Sequence, residues 1–177
     1  FSRGNGRIEA DLIDISPKLA GRVAEVRVRE GDLVKAGDVL AIMDTAELRA
    51  QLARADAAVA SAEAAVGVAA AQVEETQARL ALARSEQARA ETLSQRDVIS
   101  RENLDVKRTE TQLAEANLAA AEATRLSKER SVEAELAARS EIAERIADAT
   151  LHASGPARVL YRLARLGEIV AGGGKIL

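Results

Sequence analysis

The chain has no cysteine, a single histidine (His152), no tryptophan, and one residue each of phenylalanine and tyrosine. These absences remove thiol nucleophiles and the usual ligand sets of zinc, haem and iron–sulfur centres, and with them any basis for redox chemistry, a metal or a cofactor. Lack of cysteine suits a reducing or an oxidising compartment equally and places the protein in neither. An excess of one charge is also missing. The 25 Lys and Arg alternate with 28 Asp and Glu, unlike the one-sided basic field that a phosphate backbone attracts, so nucleic acid is not an expected partner. No run approaches the roughly 18 apolar residues of a membrane span, and no signal peptide is recognisable. The expectation is a chain that neither crosses a membrane nor carries its own export address, or a processed form of one that did.

What is present first is a repeat. Gly21 to Leu40 reads GRVAEVRVREGDLVKAGDVL, and at an offset of 136 Ala157 to Ile176 reads ARVLYRLARLGEIVAGGGKI. Arg22/Arg158, Val23/Val159, Arg29/Arg165, Gly31/Gly167, Val34/Val170 and Gly37/Gly173 are identical pairs, and Asp32/Glu168 and Leu33/Ile169 are conservative ones. Each copy alternates β-branched with polar residues, turns at a Gly followed by an acid, and reaches a second Gly before a short apolar run, so each predicts short strands joined by glycine turns. One copy has too little apolar face to be stable alone, and two copies packed face to face are the natural solution. The chain ends must then meet, and the middle must go out and come back.

The middle reads as two helices. Asp44 is expected to cap the first, with Glu47 three residues on. From Leu48 a seam runs through Leu52, Ala55, Val59, Ala62, Val66, Ala69, Val73, Thr76, Leu80, Ala83, Gln87 and Ala90 in alternating steps of four and three, the pattern of a coiled coil. The return limb, about Arg101 to Ala149, carries Val106, Leu113, Ala116, Ala120 and Ala123 in one register and Val132, Leu136, Ala143 and Ile146 in another, so its seam is expected to shift phase. Leu104, Thr111 and Leu118 form a separate stripe, expected to face a neighbouring subunit or to be scattered surface residues. At ~1.5 Å per residue, limbs of about 48 residues reach about 70 Å. The limbs reverse over Ser94 to Ser100, where Val98 and Ile99 can fold onto Leu93 and Ser100 reads as the N-cap of the second helix. For these residues the ordinary structural roles suffice: Arg89 as a solvated arm, Leu93 as turn packing, Ser100 as a cap.

The fold class is therefore α+β, a long antiparallel helical coiled-coil hairpin between two β halves. Residues 1–45 hold an N-terminal strand and the first half, 46–149 the hairpin with its tip near 94–100, and 150–177 the second half. This arrangement resembles the periplasmic adaptor, or membrane fusion, proteins (HlyD type) of tripartite efflux pumps and type I secretion systems. GRVAEVRVREGDLVKAGDVLAIMD, Gly21 to Asp44, is similar to the first half of their lipoyl-like β-sandwich, and TLHASGPARVLYRLARLGEIVAGGGKIL, Thr150 to Leu177, to the second. Their hairpin tip carries Arg, three residues, Leu, six residues, Ser, and Arg89, Leu93 and Ser100 have that spacing. GNGRIEA, Gly4 to Ala10, and the VIS before Arg101 look most like the branch that works with ABC-type exporters.

The resemblance implies a non-enzymatic subunit of the Gram-negative periplasm, associated with the inner membrane in the full-length protein. It implies three kinds of partner: an inner-membrane transporter of the ABC type, an outer-membrane channel touched by Arg89, Leu93 and Ser100, and further copies of itself. Six is one subunit count the sequence leaves open. Two departures stand out: Ser154-Gly155-Pro156-Ala157 replaces the usual Pro before an acid–Gly pair, which predicts a distorted turn, and the β-barrel and membrane-proximal domains of such adaptors are absent from the chain.

Other readings carry less. A lipoate or biotin carrier needs a lysine exposed between two strands, but the corresponding exit, Asp44-Thr45, runs into a helix, and Lys35 and Lys175 beside glycine turns read as solvated. Gly172-Gly173-Gly174-Lys175 lacks the first Gly of a phosphate loop and has Ile176 where Ser or Thr would hold magnesium. His152 has no second ligand or triad partner nearby. Glu75 and Arg79 have the spacing of a helix-surface ion pair. The rival from another class is a coiled-coil scaffold or tether with no channel partner.

Overall fold

The computed structural model describes residues 12–177. Gly4 to Ala10 and the start of the expected N-terminal strand lie outside the described residues. In chain order the elements are β1 (Gly21–Val26), β2 (Leu33–Val34), β3 (Val39–Met43), α1 (Ala46–Ser94), α2 (Arg101–Asp148), β4 (Thr150–His152), β5 (Ala157–Arg158) and β6 (Ile169–Val170). The chain parts into two compact units: one combines the segments up to Leu52 and from Glu141 onward, and the other is Ala53–Ser140.

The first unit is built on antiparallel strands, a four-stranded sheet in the order β4-β3-β1-β6 and a two-stranded sheet β2-β5. Its hydrogen bonds obey the repeat. β1 pairs with β6 through Gly21↔Val170 and Arg22↔Ile169, and the equivalent residues of the other copy pair as Ala157↔Val34 and Arg158↔Leu33. Gly31 N–H donates to the Val159 carbonyl and Gly167 N–H to the Val23 carbonyl, both at 2.8 Å. Gly37 N–H donates to Ala153 and Gly173 N–H to Pro17, again both at 2.8 Å. These four glycines have positive φ: 91° at Gly31, 89° at Gly37, 81° at Gly167 and 78° at Gly173, a conformation that costs an L-residue steric strain and glycine almost nothing. The glycine pairs are identical because each copy needs the same left-handed turn in the same place.

The repeat also builds the core. One buried cluster joins Val23, Ala41 and Met43 of the first copy to Leu151, Ala164, Val170 and Ile176 of the second. The other joins Val28, Val34 and Leu40 to Ala153 and Val159. Neither half buries its apolar face without the other, so the two sequence segments meet as expected. The turn Ser154–Pro156 delivers β5 in the same register as its counterpart β1, so the substitution there does not disturb the entry to Arg158.

In the second unit α1 and α2 run antiparallel. Asp56 pairs with Arg139 near one end, while Arg84, Glu86 and Glu91 pair with Glu115, Lys107 and Arg108 near the other. Every predicted seam position of α1 is buried or half-buried, including all six of its fully buried residues, Val59, Ala69, Val73, Thr76, Leu80 and Ala90. The start of α1 differs slightly from expectation. The Asp44 carboxylate accepts the Ala46 amide at 2.9 Å, but Thr45 is the first carbonyl acceptor, from Arg49 at 2.8 Å, and Glu47 takes the Gln51 side chain rather than closing a reciprocal cap.

The seam of α2 has to be corrected. Thr111 and Ala121 are its buried residues, with Leu104, Lys107, Ala114 and Leu118 among the half-buried ones of the first half; in the second half Val132, Ala143 and Ile146 are half-buried as expected and Leu136 is exposed. Leu104, Thr111 and Leu118, the stripe expected to face outward, are thus the inner seam of the first half, and Val132 and Ile146 fall on the same seven-residue repeat, of which Arg125 and Arg139 are exposed. Val106, Leu113, Ala116, Ala120 and Ala123, expected inside, are exposed. The first half of α2 thus carries two apolar stripes: Leu104 and Leu118 face inward with Lys107 and Thr111, while Val106 and Leu113 sit in solvent. The Thr111 hydroxyl stays satisfied by donating to its own Lys107 carbonyl at 3.1 Å.

Candidate functional site: the hairpin tip

The turn between the helices is made of two caps in immediate succession. Val98 N–H donates to the Leu93 carbonyl and Asp97 N–H to the Ser94 carbonyl, each at 3.0 Å, around Asp97 in the left-handed region at φ 54°. A long bond enclosing a short one about a left-handed residue is a Schellman cap. Asp is among the few non-glycine residues that tolerate that conformation, which is how this turn dispenses with glycine. Leu93 and Val98 occupy the positions of the apolar pair that accompanies such a cap, yet Leu93 is 39% and Val98 64% exposed. After Ile99, Ser100 begins α2: its hydroxyl oxygen accepts the Asn103 amide at 3.2 Å and its carbonyl accepts from Leu104 at 3.3 Å. The residue types alone identify the Ser100 cap. They give no sign of the left-handed Asp97 or of the exposure of Val98.

Of the predicted triplet, Arg89 and Leu93 lie in the last turns of α1 and Ser100 immediately before α2. Arg89 and Ser100 are exposed, and Leu93 is partly covered. Just behind Arg89, Lys107 reaches across from α2, its ammonium 2.8 Å from a carboxylate oxygen of Glu86 and 2.8 Å from one of Glu110. The hydrogen bond and positive charge of Lys107 hold the Glu86 carboxyl below its ordinary range, with a smaller contribution from Arg89. Hydrogen bonds to Glu110 and Glu86 push the Lys107 ammonium up. The lysine stem crosses the seam while its head stays paired, as long cationic side chains do on apolar surfaces.

Among the described residues no three His, Asp or Glu converge as metal ligands, and no described helix is long and apolar enough to cross a membrane. The His152 ring nitrogen Nδ1 lies 3.0 Å from the Gly37 carbonyl, a contact within the β unit. Lys175 is ion-paired with Asp14 at 2.8 Å at the rim of an apolar groove of about 650 Å³ that includes Ile15, Val34, Val159 and Leu177. Gly173 and Gly174 form a turn, and Arg79 pairs with Glu75 along α1.

A helical hairpin thus interrupts a self-complementary β unit in sequence, with its polar turn exposed. Residues 67–127 match the family model described as "RND MFP, alpha-helical hairpin domain". Among curated proteins, multidrug resistance protein MdtN of Escherichia coli is 38% identical over 56 residues, covering 32% of this chain and 16% of that protein. A 36 kDa antigen of Helicobacter pylori is 40% identical over 52 residues, covering 29% of this chain and 16% of that protein. The matched stretch is thus a small part of those relatives' length.

Two solved structures share the fold. The periplasmic adaptor protein EmrA has a TM-score of 0.53 and 17% identity, covering 95% of this chain and 71% of that one. MacA from Actinobacillus actinomycetemcomitans has a TM-score of 0.52 and 20% identity, covering 94% and 48%. The expected likeness to the periplasmic adaptor, or membrane fusion, family is borne out. The matched model is that of the RND group, whereas Gly4 to Ala10 and the VIS before Arg101 look most like the ABC-exporter branch.

Proposed function

We infer that the chain is the arm-bearing part of a periplasmic adaptor subunit. It links an inner-membrane transporter to an outer-membrane channel in the Gram-negative periplasm and performs no chemistry of its own. In this reading residues 1–45 and 150–177 form the two halves of a lipoyl-like sandwich, residues 46–149 form the arm, and the full-length protein is associated with the inner membrane. The observation that carries the reading is the tip: a tightly capped turn that leaves Arg89, Leu93 and Ser100 accessible where the two long helices reverse. The Arg89 guanidinium supplies charge-assisted hydrogen bonds to the channel, Leu93 an apolar contact and Ser100 a polar one. One tip is small, so affinity comes from many weak contacts around a ring of copies. The exposed Val106–Leu113–Ala120 stripe, which repeats every seven residues, suits lateral contact between hairpins of that ring.

The transporter is proposed to be of the ABC type on the sequence likeness alone; purifying the full-length protein from membranes and identifying its partners by mass tests this directly. The tip is tested by Arg89→Asp and Leu93→Ala in a deletion strain: resistance should fall with expression unchanged, and full resistance would overturn the docking role. The scaffold or tether reading predicts silent tip substitutions instead. Its sensitive stripe would be Val106/Leu113, since Leu104 and Leu118 belong to the inner seam.

A further inference from the structure

Both helices of the hairpin carry a second stripe besides the seam. On α1, Ala64, Val68, Ala71, Ala78 and Leu82 are exposed and follow the same steps of three and four, with Val68 73% and Leu82 61% in solvent. The one break, Glu75, has its carboxylate held by Arg79 and Gln72 of its own helix. On α2, Val106, Leu113, Ala116 and Ala120 are likewise exposed. Each stripe leads its own seam by two positions: Ala64 follows Ala62, and Val106 follows Leu104. Two residues turn the helix through about 200°, so each stripe stands about 160° from the seam, on the far side of its helix. The hairpin is therefore a ribbon with an apolar line along each outer edge.

The cross-helix ion pairs fix which residues of the two edges stand at one height. Counting along the antiparallel helices from Arg84–Glu115 and Glu86–Lys107, Leu82 is level with residues 111–117 of α2, which include Leu113. By the same count Ala78 is level with 115–121, which include Ala116 and Ala120. Counting from Glu86–Lys107 and Glu91–Arg108, Arg89 is level with 104–110, which include Val106 and the acids Asp105 and Glu110. In a ring whose axis runs along the hairpins, equivalent residues of every copy share one height, so these levels also hold between neighbours.

We propose that the two edges are the two sides of one contact, the α1 edge of each hairpin packing on the α2 edge of the next copy. This rests on the ring of copies in the reading above and gives that ring its surfaces, polarity and register. Leu82 meets Leu113, and Ala78 meets Ala116 and Ala120, where small side chains let the helices approach closely. Toward the tip the acids bordering Val106 come level with Arg89, so the flanking charges are opposite in sign. A guanidinium has five donors, enough to serve a neighbour's carboxylate and the channel together. The contact joins unlike edges, so it propagates from copy to copy instead of stopping at a pair. Because the helices are antiparallel and both stripes lead their seams by two positions, both are displaced toward the same face of the ribbon, and a row of hairpins curls into a closed wall.

The absence of cysteine from this chain makes the pairing directly testable. Leu82→Cys and Leu113→Cys are made singly and together in the full-length protein, expressed in the deletion strain, and treated in intact cells with a short bis-maleimide, wild type serving as the blank. Both sites are exposed, so neither change disturbs the hairpin. Co-expression of the two single variants should give a covalent dimer that neither gives alone. The double variant should give a ladder of dimer, trimer and higher species, because its two thiols lie on opposite edges of one hairpin and can only link to neighbours. A dimer from Leu113→Cys alone would mean that like edges pair, and would overturn the proposal. A lysine-reactive crosslinker applied to wild type separates the remaining failures. If it yields oligomers while the mixed cysteine variants stay monomeric, the edge pairing is wrong and the ring stands; if wild type also stays monomeric, the ring itself fails.

Discussion

Leu113→Ala and Leu118→Ala are the same chemical change on the same helix, five residues apart, and the structure assigns them different costs. Leu113 is 62% exposed, so only about two-fifths of a burial worth ~2 kcal/mol can be lost. The slightly better helix propensity of Ala reduces the net to about 0.5 kcal/mol. Leu118 sits half-buried in the seam between the buried Thr111 and Ala121. Its truncation removes inter-helix contact and leaves a partial void, costing about 2 kcal/mol, the low end for buried leucine because alanine neighbours allow some collapse. A gap of more than ~1 kcal/mol corresponds to roughly 4–8 °C in midpoint for a unit of this size. The assay is thermal unfolding followed by far-ultraviolet circular dichroism at low protein concentration, where lateral association is negligible. Equal destabilisation, or a larger effect at Leu113, would refute the assigned seam. A Leu113 effect that grows with protein concentration would report instead the outer stripe packing between copies.

Glycine substitutions should split by environment. In Gly174→Ala a Cβ would meet Val170 Cγ1 at 2.8 Å and the Ala171 carbonyl at 3.0 Å, so the β unit should lose about 1–3 kcal/mol in urea unfolding. In Gly67→Ala, inside α1 with nothing within 4 Å, helicity should rise with a gain of about 0.5–1 kcal/mol. Asp97→Gly relieves the left-handed strain at φ 54° and should raise the midpoint by the equivalent of roughly 0.5–1 kcal/mol; a fall would mean the Asp side chain has a role of its own. The Lys107 cluster predicts a pH window. Glu86 titrates below its ordinary value in the folded chain and Lys107 above its own. Their stabilisation is therefore whole between the ordinary carboxylate and lysine values, lost as pH falls through the lowered Glu86 value, and lost again as pH rises through the raised Lys107 value. Lys107→Met should flatten the acid side of a midpoint-against-pH curve, and unchanged curvature would count against the pair.

The repeat and the doubling back that it enforces are legible in the residues alone. Gly31/Gly167 and Gly37/Gly173 are read off directly because only glycine adopts those turns without strain, and a self-similar β unit at both ends requires the chain to return on itself. The α1 seam is equally legible, because its Leu and Val positions and its small residues share one helical phase. The Ser100 cap is legible from residue type. The α2 seam is not. There Val106 and Leu113 lie on the solvent side, while Lys107 and Thr111 lie inside beside Leu104 and Leu118, so two apolar stripes compete and hydrophobicity alone does not choose between them. Which face of α2 meets α1 is a rotation about the helix axis, set by packing between segments that are distant in the chain. The paired head of Lys107 and the Thr111 hydroxyl, satisfied by its own helix, make the resulting seam tolerable.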